Sequence, residues 1–202
     1  MAVPSFIAKI LSSSNSFLGT GVLVAETHLL TANHVVKNGR SFTVIGHSRQ
    51  TRANIVARDT ENDIALLSLD VALGHPPLWS TEDPHQRELH LYGFEQGDFR
   101  DVTGHNSIAH HNEQRMIVRV ESSCGAPEGM SGGVATRLIN GTVFCVGLIC
   151  LGGVGASQSI LLGGGLIAPF LAKHDVPLPG WSLDTVYPGA DLAKPVDPAP
   201  SV

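Results

Sequence analysis

Gly129-Met130-Ser131-Gly132-Gly133 decides the reading of this 202-residue chain, because two earlier segments supply what its serine needs. They are Leu30-Thr31-Ala32-Asn33-His34-Val35-Val36 and Asn62-Asp63-Ile64-Ala65-Leu66-Leu67. A serine hydroxyl is a poor nucleophile at neutral pH. It becomes a good one when an imidazole takes its proton and a carboxylate holds that imidazole in one tautomer. The chain presents the three groups in the order His34, Asp63, Ser131. Asp59, Glu61 and Asp70 compete for the acid's place, but only Asp63 directly precedes the apolar run Ile64 to Leu67.

The same pentapeptide fits G-x-S-x-G, the nucleophile elbow of α/β-hydrolases, where the order is serine, acid, histidine. Downstream of Ser131 the next histidine is His174, and no Asp or Glu lies between them. The elbow reading fails on order alone.

Composition narrows the remaining classes. Charged residues make up 15% and apolar ones 43%, with 22 glycines, which is globular rather than disordered. A net charge of −5 and the absence of a basic run argue against a nucleic-acid partner. No apolar run approaches the ~20 residues of a membrane-spanning helix, so no membrane partner is expected. The segment Met1 to Leu11 lacks a basic start and carries Lys9 in its apolar patch, so it reads as a first β-strand rather than a signal peptide. Cys124, Cys145 and Cys150 leave at least one thiol unpaired and show no metal-type spacing. A reducing, cytoplasmic compartment is expected. His105, His110 and His111 form the densest histidine cluster but lack firm ligand partners, and read as an exposed loop. No metal and no organic cofactor is called for.

Short apolar runs punctuated by Gly, Asn, Asp and Pro recur throughout: Gly21 to Val24, Phe42 to Ile45, Ile64 to Leu69, Met116 to Val120 and Val143 to Leu151. Many short strands at this spacing predict an all-β sandwich or barrel. One helix is expected over Leu166 to His174, with Pro169 near its first turn. Six of the twelve prolines lie between Pro177 and Pro200, so residues 176–202 read as a Pro-rich tail or linker.

At these residues the chain resembles the chymotrypsin/trypsin-fold serine proteases, and within them the short HtrA-like bacterial domains. The 29-position spacing of His34 and Asp63 is similar to that group. Gly147-Leu148-Ile149-Cys150-Leu151-Gly152 resembles the strand lining the primary specificity pocket, and Gly165-Leu166-Ile167-Ala168-Pro169 the passage that closes the second barrel. The resemblance implies two packed six-stranded antiparallel β-barrels with a short C-terminal helix. The protease domain would cover 1–175, with subdomains near 1–80 and 81–165. It implies Ser131 as nucleophile, His34 as base and later acid, and Asp63 as orienting carboxylate. The N–H groups of Gly129 and Ser131 would form the oxyanion hole. Gly125 would floor an uncharged specificity pocket beside Ala126, with Ile149, Cys150, Leu151 and Gly152 as walls and Glu128 near the mouth.

The chain also departs from the family pattern. Met130 stands before the serine, where trypsin-like enzymes carry an Asp that pairs with a new N-terminal ammonium. Zymogen activation by that route is not expected, and the oxyanion loop must be held another way. Two functional readings follow. One is a serine endopeptidase acting on protein or peptide substrates, resembling bacterial defence effectors coupled to a sensor, activator or fused domain. The other is a protease-fold binding or regulatory module with little turnover.

Overall fold

Apolar runs that end at Gly, Asn or Asp become strands in the computed structural model of the protein. It describes residues 3–80, 88–112, 117–122, 126–151 and 159–180, with 105–112, 117–122 and 151 described as backbone alone. The N-terminal half supplies β1 (Ile7–Leu11), β2 (Phe17–Ala25), β3 (His28–Ala32), α1 (Asn33–Val36), β4 (Ser41–Ile45), β5 (Gln50–Asp59) and β6 (Ile64–Leu69). These strands close into an antiparallel barrel in the order β1-β2-β3-β6-β5-β4. Closure comes from β1 against β4, where Lys9 faces Ile45 and Ile10 faces Val44.

The C-terminal half supplies β7 (Leu78–Trp79), β8 (Glu88–Glu95), β9 (Asp98–Asn112), β10 (Ile117–Ser122), β11 (Val134–Ile139), β12 (Thr142–Leu151), β13 (Ser159–Leu162) and α2 (Gly164–Ala172). The sheet order is β11-β8-β9-β10-β13-β12-β7, and β11 pairs again with β12. Six strands therefore form a second ring. The short β7 lies outside it, parallel to β12. The all-β, chymotrypsin-like architecture expected from the sequence is the one observed, with β7 as an addition.

Three expectations change. His105, His110 and His111 stand on the long strand β9, opposite Glu88, Arg119 and Val118, rather than in a loop. Pairing with β8 as far as His105, and with β10 over residues 106–112, holds this polar run extended. Pro169 is the sixth residue of α2 and lies beyond its first turn. Its exposed position accommodates the ring while Leu166, Ile167, Phe170 and Leu171 are buried. Packing also continues past residue 175: Val176 and Leu178 are buried, and Trp79 N–H donates to Pro179 O at 2.7 Å. Residues 181–202 of the expected tail lie outside the described part.

One apolar core fills the first barrel and extends through Val134, Leu148 and Cys150 to α2. A second, inside the other ring, gathers Leu89, Leu91, Met130, Ala135, Ile149 and Leu161. Each such Leu or Ile contributes about 1.5–3 kcal/mol when withdrawn from water, which fixes the strands whose ends carry the polar residues described next. Among the described residues no helix is long and apolar enough to cross a membrane.

Candidate active site

Antiparallel pairing of β3 with β6 puts Ala32 opposite Ile64. The residues just beyond those strand ends must therefore meet. Asn33 N–H donates to Asp63 O at 3.0 Å, and His34 N–H donates to Asp63 Oδ1 at 2.9 Å. His34 Nδ1 lies 2.7 Å from Asp63 Oδ2. Donation from Nδ1 to the carboxylate leaves Nε2 as the proton acceptor. The imidazole keeps 44% of its side-chain surface exposed, so that nitrogen remains reachable.

Asp63 has φ of +56°, in the left-handed region that Asp tolerates better than most residues. The turn before it is tied by Asp59. Its Oδ1 accepts the N–H groups of Glu61 (3.1 Å) and Asn62 (3.0 Å), and its Oδ2 accepts Asn62 Nδ2 at 2.7 Å. Burial pushes the Asp59 carboxyl up, but these bonds and the nearby Lys173 charge outweigh it and hold the group below its ordinary value. The Cys150 thiol approaches the Asp63 carbonyl from the second barrel, with Sγ at 3.7 Å.

The serine loop is clamped on both sides. Met130 is fully buried in the second core, and Gly133 N–H donates to Met130 O at 2.8 Å. Gly132 N–H donates to Ile149 O at 2.7 Å, and Ile149 N–H to Gly133 O at 2.8 Å. Gly129 and Gly132 have φ of +94° and +83°. A Cβ on Gly132 would also lie 2.0 Å from Thr20 O, so no larger residue fits.

From the first barrel, Thr20 N–H donates to Ser131 O at 2.9 Å. The Thr20 hydroxyl donates to Gly129 O at 3.0 Å and accepts Phe94 N–H at 2.9 Å. Thr31 donates its own hydroxyl to Thr20 O at 2.6 Å. Both threonines are fully buried. This chain of bonds ties the strand before His34 to the loop before Ser131. It answers how that loop is held when Met130 stands in place of an acid.

Among the described residues, the N–H groups of Gly129 and Ser131 donate to no other protein group. Backbone donors left open in this way can receive a developing oxyanion. Val35, the residue after His34, and the Ser131 carbonyl both pack on Gly19, where a Cβ would lie 2.9 Å from Val35 and 3.1 Å from Ser131 O. No hydrogen bond joins Ser131 Oγ to His34 in this structure. Such bonds commonly tighten only when substrate is bound.

The residues expected around a specificity pocket separate into three groups. Ala126 is buried, with its N–H held by Ser159 Oγ, while Glu128 is exposed. Ile149 and Cys150 are both buried on β12. At the irregularity between Ile149 and Leu151, Ile149 packs into the second core and the Cys150 thiol lies toward Asp63. Leu151 ends β12 and is described as backbone alone; Gly125 and Gly152 lie outside the described residues. Thr20 and Thr31 are the site residues that sequence reasoning missed.

Comparison with known proteins accords with this arrangement. A model of the trypsin-like peptidase domain matches residues 19–147, from β2 into β12, and so includes His34, Asp63 and Ser131. The active form of the Rv3671c protease from M. tuberculosis superposes with a TM-score of 0.71 at 21% identity, covering 87% of this chain and 83% of that one. A mutant Rv3671c in its inactive form gives 0.70 at 21% identity, covering 84% and 86%. The HtrA-type protease AlgW with a decapeptide gives 0.69 at 18% identity, covering 87% and 66%. No curated protein matches. At these identities the solved structures speak for the fold, and the domain model, which spans more than half of the sequence, for the family: the chain belongs to the trypsin-like peptidase domain family.

Proposed function

We propose that the protein is a serine endopeptidase with Ser131 as nucleophile, His34 as general base and acid, and Asp63 as orienting carboxylate. The observation that carries this reading is the two-pronged grip of Asp63 on His34. It fixes both the ring and its tautomer beside a serine loop with two open N–H groups. Ser131 Oγ attacks the peptide carbonyl as its proton passes to His34 Nε2. The N–H groups of Gly129 and Ser131 take the negative charge of the tetrahedral oxygen. His34 then protonates the leaving amine, the C–N bond breaks, and an acyl-enzyme remains. Water, deprotonated by His34, hydrolyses that ester and restores Ser131.

The apolar anchoring of Met130 and the Thr20 clamp support a loop arranged without a new N-terminus. The uncharged residue at 125 supports apolar or small P1 side chains. The free, buried Cys145 thiol supports a reducing, cytoplasmic setting. In such a setting a protease acting as a bacterial defence effector requires a sensor, activator or fused partner to restrain it.

A competing reading, a binding or regulatory module with little turnover, draws on the missing Ser131–His34 hydrogen bond. Hydrolysis of a peptide library by the protein and by its Ser131→Ala variant decides between them. Burst release of the first product, lost in Ser131→Ala while folding is retained, supports the endopeptidase. Equal and negligible turnover by both folded proteins supports the module.

A further inference from the structure

A cavity of about 780 Å³ opens directly after α1, lined by Lys37, Asn38, Gly39, Arg40, Ile55 and Arg58. Three of the six residues are cationic and none is acidic. This runs against the balance of a chain with 13 Lys and Arg, 18 Asp and Glu, and a net charge of −5. Arg58 builds the wall. Its Nη2 donates to Val36 O at 2.7 Å and to Gly39 O at 2.8 Å, and its Nη1 donates to Asn33 Oδ1 at 3.2 Å. Those bonds use its donors on the turn but leave its charge facing the cavity. Lys37 and Arg40 are exposed, and among the described residues neither side chain has an ion pair or hydrogen bond.

The position of this cavity matters as much as its charge. Lys37 caps α1 one helical turn beyond His34, and residues three apart on a helix share a face. Arg58 grips Asn33, the residue before the imidazole. A peptide laid across His34 therefore carries a neighbouring side chain over the cationic hollow. Concave walls of one sign concentrate the field, and a free guanidinium can hold a carboxylate through two parallel bonds.

We propose that this cavity is a substrate subsite for the carboxylate of an Asp or Glu close to the scissile bond, with Lys37 and Arg40 as its ligands. The proposal rests on the endopeptidase reading. It names a preference for peptides with an acidic residue at one position near the cleaved bond.

The test uses a fluorogenic peptide series in which Glu replaces Gln at each of three positions on either side of the cleaved bond. Binding of the same peptides to the Ser131→Ala variant is measured by fluorescence anisotropy. At low salt, Glu at one position should raise kcat/KM and tighten binding about five- to tenfold over Gln. The gain should fall below about twofold near 1 M salt, where screening acts within about 3 Å. It should vanish in Lys37→Gln/Arg40→Gln and reverse in Lys37→Glu/Arg40→Glu, while the rate of fluorophosphonate labelling stays unchanged. Equal handling of Glu and Gln at every position, or a Glu preference that survives charge reversal, overturns the subsite. Failure of the catalytic reading shows separately, as an absence of labelling. In that event the anisotropy comparison, which needs no turnover, still confirms or overturns the subsite.

Discussion

Replacing Thr20 by Val tests the inter-barrel clamp with almost no change of shape. The hydroxyl donates to Gly129 O at 3.0 Å and accepts Phe94 N–H at 2.9 Å, in a fully buried position. Valine leaves both backbone groups without these partners, at about 1–3 kcal/mol each, so a stability loss of about 2–6 kcal/mol is expected. The backbone bond from Thr20 N–H to Ser131 O survives, so Ser131 itself stays in place. What loosens is the peptide plane between Gly129 and Met130, which separates the two open N–H groups. Complete loss of one oxyanion donor costs about 3–4 kcal/mol. A loosened hole should cost less, about 1.4–2.7 kcal/mol, which is about 10- to 100-fold in kcat with KM little changed. Steady-state kinetics on one peptide substrate, beside urea unfolding, measure both effects. Thr20→Ser, which keeps the hydroxyl, should recover most of kcat. The reasoning is refuted if Thr20→Val keeps kcat within about twofold of the parent, or if Thr20→Ser fails as badly as valine.

Further expectations follow from the same contacts. Asp63→Asn should lower kcat by about ten-thousand-fold in a folded protein, because the amide cannot hold the required imidazole tautomer; stopped-flow peptide cleavage with circular dichroism checks this. Gly132→Ala would force a Cβ to 2.0 Å from Thr20 O at φ of +83°. A loss of about 4 kcal/mol lowers Tm by roughly 10 °C at about 2–4 °C per kcal/mol, readable by calorimetry. Asp59 has its folded pKa held below the unfolded value, so its ionised form stabilises the protein above about pH 4, and that contribution is lost as pH falls further. Asp59→Asn should therefore show a flatter loss of stability in acid than the parent, measured by urea midpoints across that range. Burial pushes the Cys145 thiol well above its ordinary range. Mass mapping after alkylation of the native protein should find Cys145 unmodified, and modified once the protein is unfolded.

What was legible in the sequence depended on how local its cause was. Ile64 to Leu69 forms β6 with those bounds because a turn ends at Asp63 and a charged residue follows at Asp70. The meeting of His34 and Asp63 follows from strand pairing in the first barrel, and their contexts carried the signal. β9 was hidden because its histidine-rich second half lacks apolar alternation; pairing with β8 and β10 creates that strand. β7 has two residues, too few for any periodicity. Thr20 could not be found, since Gly129 and Phe94 lie 109 and 74 positions away. Met130 showed in the sequence only as a missing acid. Its buried seat among Leu89, Leu91 and Ile149 exists only once the second ring has closed. The contacts of Ile149 with the second core and of the Cys150 thiol with Asp63 O come from different parts of the fold and carry no local sequence signal.

Labelling with a fluorophosphonate probe, followed by mass mapping of the modified residue, tests the central claim most directly. The account predicts one adduct per chain, on Ser131, lost in Ser131→Ala and reduced by orders of magnitude in His34→Ala while both variants remain folded. A folded parent protein that takes up no probe, or one labelled equally well without His34, would contradict it.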